Sequence, residues 1–146
     1  MAKAFAIEDG NLNTRPITSS ISRTYKDLDL SFTNKASGDI YKKNDAAAVK
    51  QAVKNLLMTN QGEKPFNPYY GGSLNEFLFN LDTEFDEYSI NEAVEIAINN
   101  YEPRASVEQV ISKVNPDYNS LSVQVVFRIV TTNQLETVQV NLARIR

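Results

Sequence analysis

The side chains that carry most protein chemistry are missing from this sequence, which has no cysteine and no histidine. That removes disulfides, thiolate and imidazole metal ligands, and the side chain that titrates near neutral pH, so neither a metal nor a cofactor is expected. Carboxylates, cations and aromatics remain, and three groupings of them draw attention. In Glu102-Pro103-Arg104 the proline fixes a bend and leaves a carboxylate and a guanidinium set for charge-assisted pairing. Taken alone, the triplet reads as a local surface ion pair worth about 0 to 1 kcal/mol. The stretch Gly62 to Gly72 sets Phe66, Tyr69 and Tyr70 among three glycines and two prolines. It is a shaped loop whose rings either pack over their own core, the favoured reading, or dock a neighbour, since aromatics are enriched at interface cores. The acids Asp82, Glu84, Asp86 and Glu87 read as a solvated linker, because the spacing and glycine of a calcium loop are absent.

One arrangement would be catalytic. Glu63 and Glu102 form a candidate acid and base for a glycosidase, which needs two carboxyls flanking a sugar cleft and one of them with a raised pKa. Nothing in the sequence argues for a cleft, and Arg104, two residues from Glu102, favours the ionised form, the wrong direction for a general acid. The sequence is therefore read as that of a non-enzyme, with no catalytic residue.

The elements that position these groups follow from periodicity. Residues 1–24 hold Gly10, Pro16 and many Asn, Ser and Thr without a sustained period, which predicts an irregular arm ahead of a single domain over 25–146. Leu28, Leu30 and Phe32 alternate with Asp27, Asp29 and Ser31, as in a short half-buried strand. Asn44 and Asp45 can cap a helix over 46–58, with Ala46, Val49, Val53, Leu56 and Leu57 as its apolar stripe and Gln51 on another side. Ser73 with Glu76, and Ser89 with Glu92, have capping-box spacing. The first opens a short helix burying Leu74, Phe77, Leu78 and Leu81. The second opens a helix burying Ile90, Ala93, Val94, Ala97 and Ile98 that Pro103 terminates. Residues 105–114 match both a helical stripe and a strand, and β-branched content favours the strand. Apolar residues at every odd position from Leu121 to Ile129, then a turn and the run from Leu135 to Ile145, predict a long antiparallel hairpin. The expected fold is α+β, with three or so helices on a small antiparallel sheet.

Composition narrows the function classes. The chain has 146 residues, 42% apolar and 23% charged, with a net charge of -3, which suits one packed domain. Scattered cations give no source for the counterion release that drives nucleic-acid binding, so no nucleic-acid partner is expected. No window approaches the twenty or so apolar residues of a membrane-spanning helix, and the start lacks the apolar stretch of a secretory signal. A protein made and kept in the cytoplasm, without a membrane partner, is the expectation.

Three blocks then converge on a family. Residues 25–32 (YKDLDLSF), 56–71 (LLMTNQGEKPFNPYYG) and 101–105 (YEPRA) resemble, in order and spacing, the contractile-tail baseplate wedge and sheath-initiator family, which includes a baseplate component of the type VI secretion system. The resemblance spans roughly 25–146, and several spaced blocks are far more specific than one. Its hallmark triplet falls on Glu102, Pro103 and Arg104. Where the family usually carries an arginine in the loop, this chain has Lys64, which cannot form a bidentate fork.

The resemblance implies a structural subunit of a virion tail baseplate, assembled in the host cytoplasm. It would be present in six copies, with wedge core proteins and the tail sheath protein as partners and Glu102, Pro103 and Arg104 as partner-binding residues. The implied role is to bind the wedge core and template polymerisation of the tail sheath. With the family in view, the triplet reads as a partner contact. The long C-terminal hairpin is compatible with this role, because a strand edge is what strand addition between chains uses.

Overall fold

Leu121, Val123, Val125, Phe127 and Ile129 are all buried, and this one alternating row organises the molecule, whose computed structural model describes residues 25–79 and 87–144. A strand buries every second side chain, so the row makes Ser120–Ile129 (β4) the centre of a three-stranded antiparallel sheet. Ala105–Asn115 (β3) and Leu135–Ala143 (β5) lie on either side of it. In register, Val123 meets Val140 and Val125 meets Val138, so β5 adds its own buried valines to the same face.

Helices cover that face. Asp45–Met58 (α1) buries Val49, Val53, Leu56 and Leu57, and Glu87–Tyr101 (α3) buries Ile90, Val94, Ala97 and Ile98. The short Leu74–Phe79 (α2) adds Leu74 and Leu78. These side chains form one continuous core with the β4 row. At about 1.5–3 kcal/mol for each fully buried aliphatic side chain, this cluster dominates the favourable side of folding. The fold class is α+β, as expected from the sequence. Leu81, the acids at 82, 84 and 86, Ile145 and the arm over 1–24 lie outside the described residues.

The predicted strand over 25–32 is only partly formed. Lys26–Leu28 (β1) pairs with Lys42–Asn44 (β2) in a separate two-stranded ribbon. Leu28, Leu30 and Phe32 are exposed rather than half-buried. The chain turns out of the strand at Asp29, whose carbonyl accepts the Phe32 N–H at 3.2 Å, and Phe32 takes a left-handed φ of 52°. A turn there ends the alternation before it reaches a core.

The predicted caps are also replaced. Asn44 sits at the start of α1 but makes no side-chain capping bond. Asp45 instead clamps Tyr25, accepting its N–H through Oδ1 at 3.1 Å and donating its own N–H to the Tyr25 carbonyl at 2.7 Å. Ser73 accepts the Gln61 N–H at 3.3 Å through its hydroxyl, so it fastens the preceding loop, while Glu76 N–H bonds the Ser73 carbonyl at 3.0 Å. Helix α3 already begins at Glu87, which puts Ser89 inside its first turn rather than at its cap.

Candidate functional site

Pro103 has no backbone N–H and restricts the residue before it, so α3 closes its last turn with Glu102 N–H on the Ile98 carbonyl at 2.8 Å and stops. The chain then bends. Ala105 N–H returns to the Glu102 carbonyl at 3.0 Å, and the Arg104 carbonyl accepts Val130 N–H at 3.0 Å, which ties the bend to the sheet. Within this frame Glu102 is 6% exposed, and both of its carboxylate oxygens face Arg104, Oε1 at 2.5 Å from Nε and Oε2 at 2.7 Å from Nη2. The carboxylate is thus more buried than in the surface ion pair that the triplet suggested in isolation. A bidentate fork of this kind fixes geometry as well as charge. The hydrogen bonds to Glu102 push the Arg104 guanidinium still further up from its ordinary value. Pro103 lies on the surface.

The other two sequence blocks meet here. The Arg104 guanidinium lies 5.2 Å from the Tyr25 ring centre. Beside Glu102 in the chain, Tyr101 packs edge-on against Tyr70 with ring centres 5.3 Å apart, and Lys64 Nζ sits 3.7 Å over the Tyr70 ring. Burial, and then the negative charge of Glu102, push the Tyr70 hydroxyl up. Lys64, where an arginine was expected, uses its point charge on an aromatic face, which needs no planar fork. Blocks 25–32, 56–71 and 101–105 therefore converge on one surface.

The loop over 62–72 is fixed by its backbone, with Gly62 N–H on the Pro68 carbonyl at 2.7 Å and Gly72 N–H on the Leu56 carbonyl at 3.0 Å. Glu63 binds Asn60 with both oxygens, to its N–H at 2.9 Å and its side-chain amide at 2.8 Å. The N–H bond holds the Glu63 carboxyl below the usual carboxylate range. Tyr70 packs inward as expected, but Phe66 stands fully in solvent and Tyr69 is largely exposed, contrary to the expectation that all three rings cover their own core. Phe66 adopts φ 65°, a left-handed conformation.

The carboxylates Glu63 and Glu102 do not make an acid and base pair. Each has both oxygens bonded to a neighbour two or three residues away. Among the described residues no cluster could hold a metal ion, and no helix is long and apolar enough to cross a membrane.

Sequence reasoning missed Gln51, a buried amide in α1 that donates to the Leu28 carbonyl at 2.7 Å and accepts Leu30 N–H at 3.3 Å. It also missed Asn91 in α3, whose Oδ1 is buried without a hydrogen-bond partner. Only the helical phase of these amides was available from sequence, and phase does not report which segment comes to rest on them.

The profile described as baseplate wedge protein gp25 matches residues 43–134. The baseplate wedge protein gp25 of Enterobacteria phage T4 is 25% identical over 126 residues, covering 84% of this chain and 94% of that protein. A chain of the anti-feeding prophage baseplate, determined with sixfold symmetry, has a similar fold, with a TM-score of 0.57 and 20% identity over 81% of this chain and 84% of its own. A protein described as a tail lysozyme, from Geobacter sulfurreducens, shares the fold at a TM-score of 0.57 and 18% identity, covering 67% of this chain and 89% of that one. With the profile matched over more than half its length, the chain belongs to the baseplate wedge protein gp25 family of contractile tails.

Proposed function

We propose that the chain is a non-enzymatic wedge subunit that docks on the wedge core through the surface around Glu102, Pro103 and Arg104 and offers the edge of β5 as the template for the first ring of tail sheath. The observation that carries it is the direction of the β5 backbone. Ile129 N–H bonds the Gln134 carbonyl and Arg144 N–H bonds the Asn119 carbonyl. With the intervening register, the alternation of an antiparallel ladder assigns the even residues of β5 to β4. Leu135, Thr137, Gln139, Asn141 and Ala143 then aim their N–H and C=O groups outward, and β5 is an edge strand. Such a row is a ready acceptor for an added strand, where main-chain bonds supply affinity and alternate side chains supply specificity. Six copies per baseplate, assembled in the host cytoplasm, complete the proposal, in keeping with the sixfold baseplate that contains a chain of similar fold.

The test is Gln139→Pro with Asn141→Pro. Both remove outward donors and leave the bonds to β4 in place. Thermal unfolding first confirms that the variant folds, and it is then expected to enter baseplates and fail to nucleate sheath. Full-length sheath on such baseplates refutes the template. Docking is tested separately with Arg104→Ala, which is expected to lose capture by purified wedge core proteins. Peptidoglycan turbidity is expected to stay constant with purified protein from acid to neutral pH. A loss of turbidity abolished by Glu102→Gln overturns the non-enzymatic assignment.

A further inference from the structure

Among the described residues, Phe66 is the large apolar side chain that folding covers least. Its relative exposure is 106%, where the next, Tyr118, stands at 75%. Its backbone is costly as well, since a φ of 65° is left-handed and Phe is not a residue that visits this region readily. The Asn67 N–H bonds the Lys64 carbonyl at 3.3 Å, with Pro65 and Phe66 between them. A turn with proline second and a left-handed third residue is of type II, and its third place favours glycine or asparagine. The isolated fold therefore gains nothing from a phenyl ring at this position. Nor is the position free to shift. A second turn follows at once, led by Pro68, with Tyr70 N–H on the Asn67 carbonyl at 3.2 Å. At the base of the loop, a Cβ on Gly71 would lie 2.4 Å from the Thr59 carbonyl oxygen, so the chain there abuts the end of α1. Pro65, Pro68 and Tyr69 are exposed in the same loop, and Tyr70 joins it to Tyr101, the neighbour of Glu102.

We infer that Phe66 is the anchor of the docking face around Glu102, Pro103 and Arg104, and that its ring enters an apolar pocket on the wedge core. The inference rests on the docking reading above and adds the contact that supplies its affinity. Glu102 and Arg104 already satisfy each other within the chain, so they offer a partner little net charge. An aromatic side chain on a pinned turn instead buries a large apolar area and loses little freedom on binding, as aromatics at interface cores do.

The test is Phe66→Asn, which removes the ring and keeps a residue that accepts the left-handed turn. Its urea midpoint is expected to equal or exceed that of the unsubstituted chain, while its capture by purified wedge core proteins weakens about thirtyfold, the scale of an interface hot spot. Hydroxyl-radical footprinting of the unsubstituted chain reads the ring directly. Phe66 is expected to be modified in the free chain and protected on the wedge core, relative to Tyr118, which follows the far end of the 11-residue β3 from the triplet. Equal capture of Phe66→Asn, or modification of Phe66 that binding does not reduce, overturns the inference and leaves the docking face to its Arg104→Ala test. A lowered urea midpoint also overturns it, since the ring would then serve the fold. If the unsubstituted chain is not captured at all, the docking reading fails and this inference with it.

Discussion

Glu102 is the residue on which the triplet turns, because a carboxylate at 6% exposure tolerates loss of its partner poorly. Arg104→Ala leaves it without its fork and is expected to cost about 1–3 kcal/mol, the penalty for an unsatisfied buried polar group. Arg104→Lys keeps the charge, loses the fork and is expected to cost about 1 kcal/mol. Urea unfolding of the three proteins checks both values, and each variant should retain one cooperative transition, since domains of this size commonly have about 5–15 kcal/mol in hand. Glu63 gives a pH effect of known sign. Its folded pKa is depressed by the Asn60 N–H, so its contribution is present above the unfolded value and is lost as pH falls through the lower folded value. The Asn60 amide resonance should therefore titrate below the ordinary glutamate range, and Glu63→Gln should abolish that titration. At this scale the sequence revealed which residues would be near each other in the triplet, since two positions of separation suffice. It could not reveal that Glu102 would be buried, because burial depends on segments that arrive from elsewhere in the chain.

Secondary structure shows best where sequence pattern and local geometry part company. The run from Ala105 to Val114, read as a strand, also matched a helical stripe because Val107, Val110 and Val114 fall three and four apart. The bulge after Val107 produces that spacing, moving the inward phase of β3 from odd to even positions. The hairpin was legible throughout, since β4 and β5 keep strict alternation and meet without a slip. The strand over 25–32 was not, because its alternation is cut by a turn whose left-handed residue, Phe32, is not one that signals turns. Asn133 is the contrasting case: at φ 57° between β4 and β5, it is a residue type that visits this region readily. Asn133→Gly should leave stability within a few tenths of a kcal/mol, roughly the cost of a tolerated loop change, whereas Asn133→Val should lose about 1–2 kcal/mol. Thermal melts of the pair decide this.

At the scale of the whole molecule, the described residues form one helix-covered sheet and one small ribbon, joined unevenly. The core was predictable as a set, because hydrophobic periodicity names inward faces without knowing topology. The relation of ribbon to core was not, because it rests on polar contacts between distant positions. The ribbon's large apolar side chains, Leu28, Leu30 and Phe32, face solvent, and a two-stranded ribbon is marginal by itself. Its attachment to α1 runs through the Asp45 clamp on Tyr25 and the two bonds of the Gln51 amide. The ribbon should accordingly open as a unit while the sheet remains shut, with a local unfolding free energy well below the global one. Gln51→Leu should speed hydrogen exchange at the Asp29 amide, which is bonded to the Tyr41 carbonyl, by about thirtyfold, as expected for losing two hydrogen bonds worth about 1 kcal/mol each. Exchange at Val123 and Val125 should stay unchanged. The protein would then carry a flap fastened at one end by an aspartate clamp and at the other by a glutamine latch.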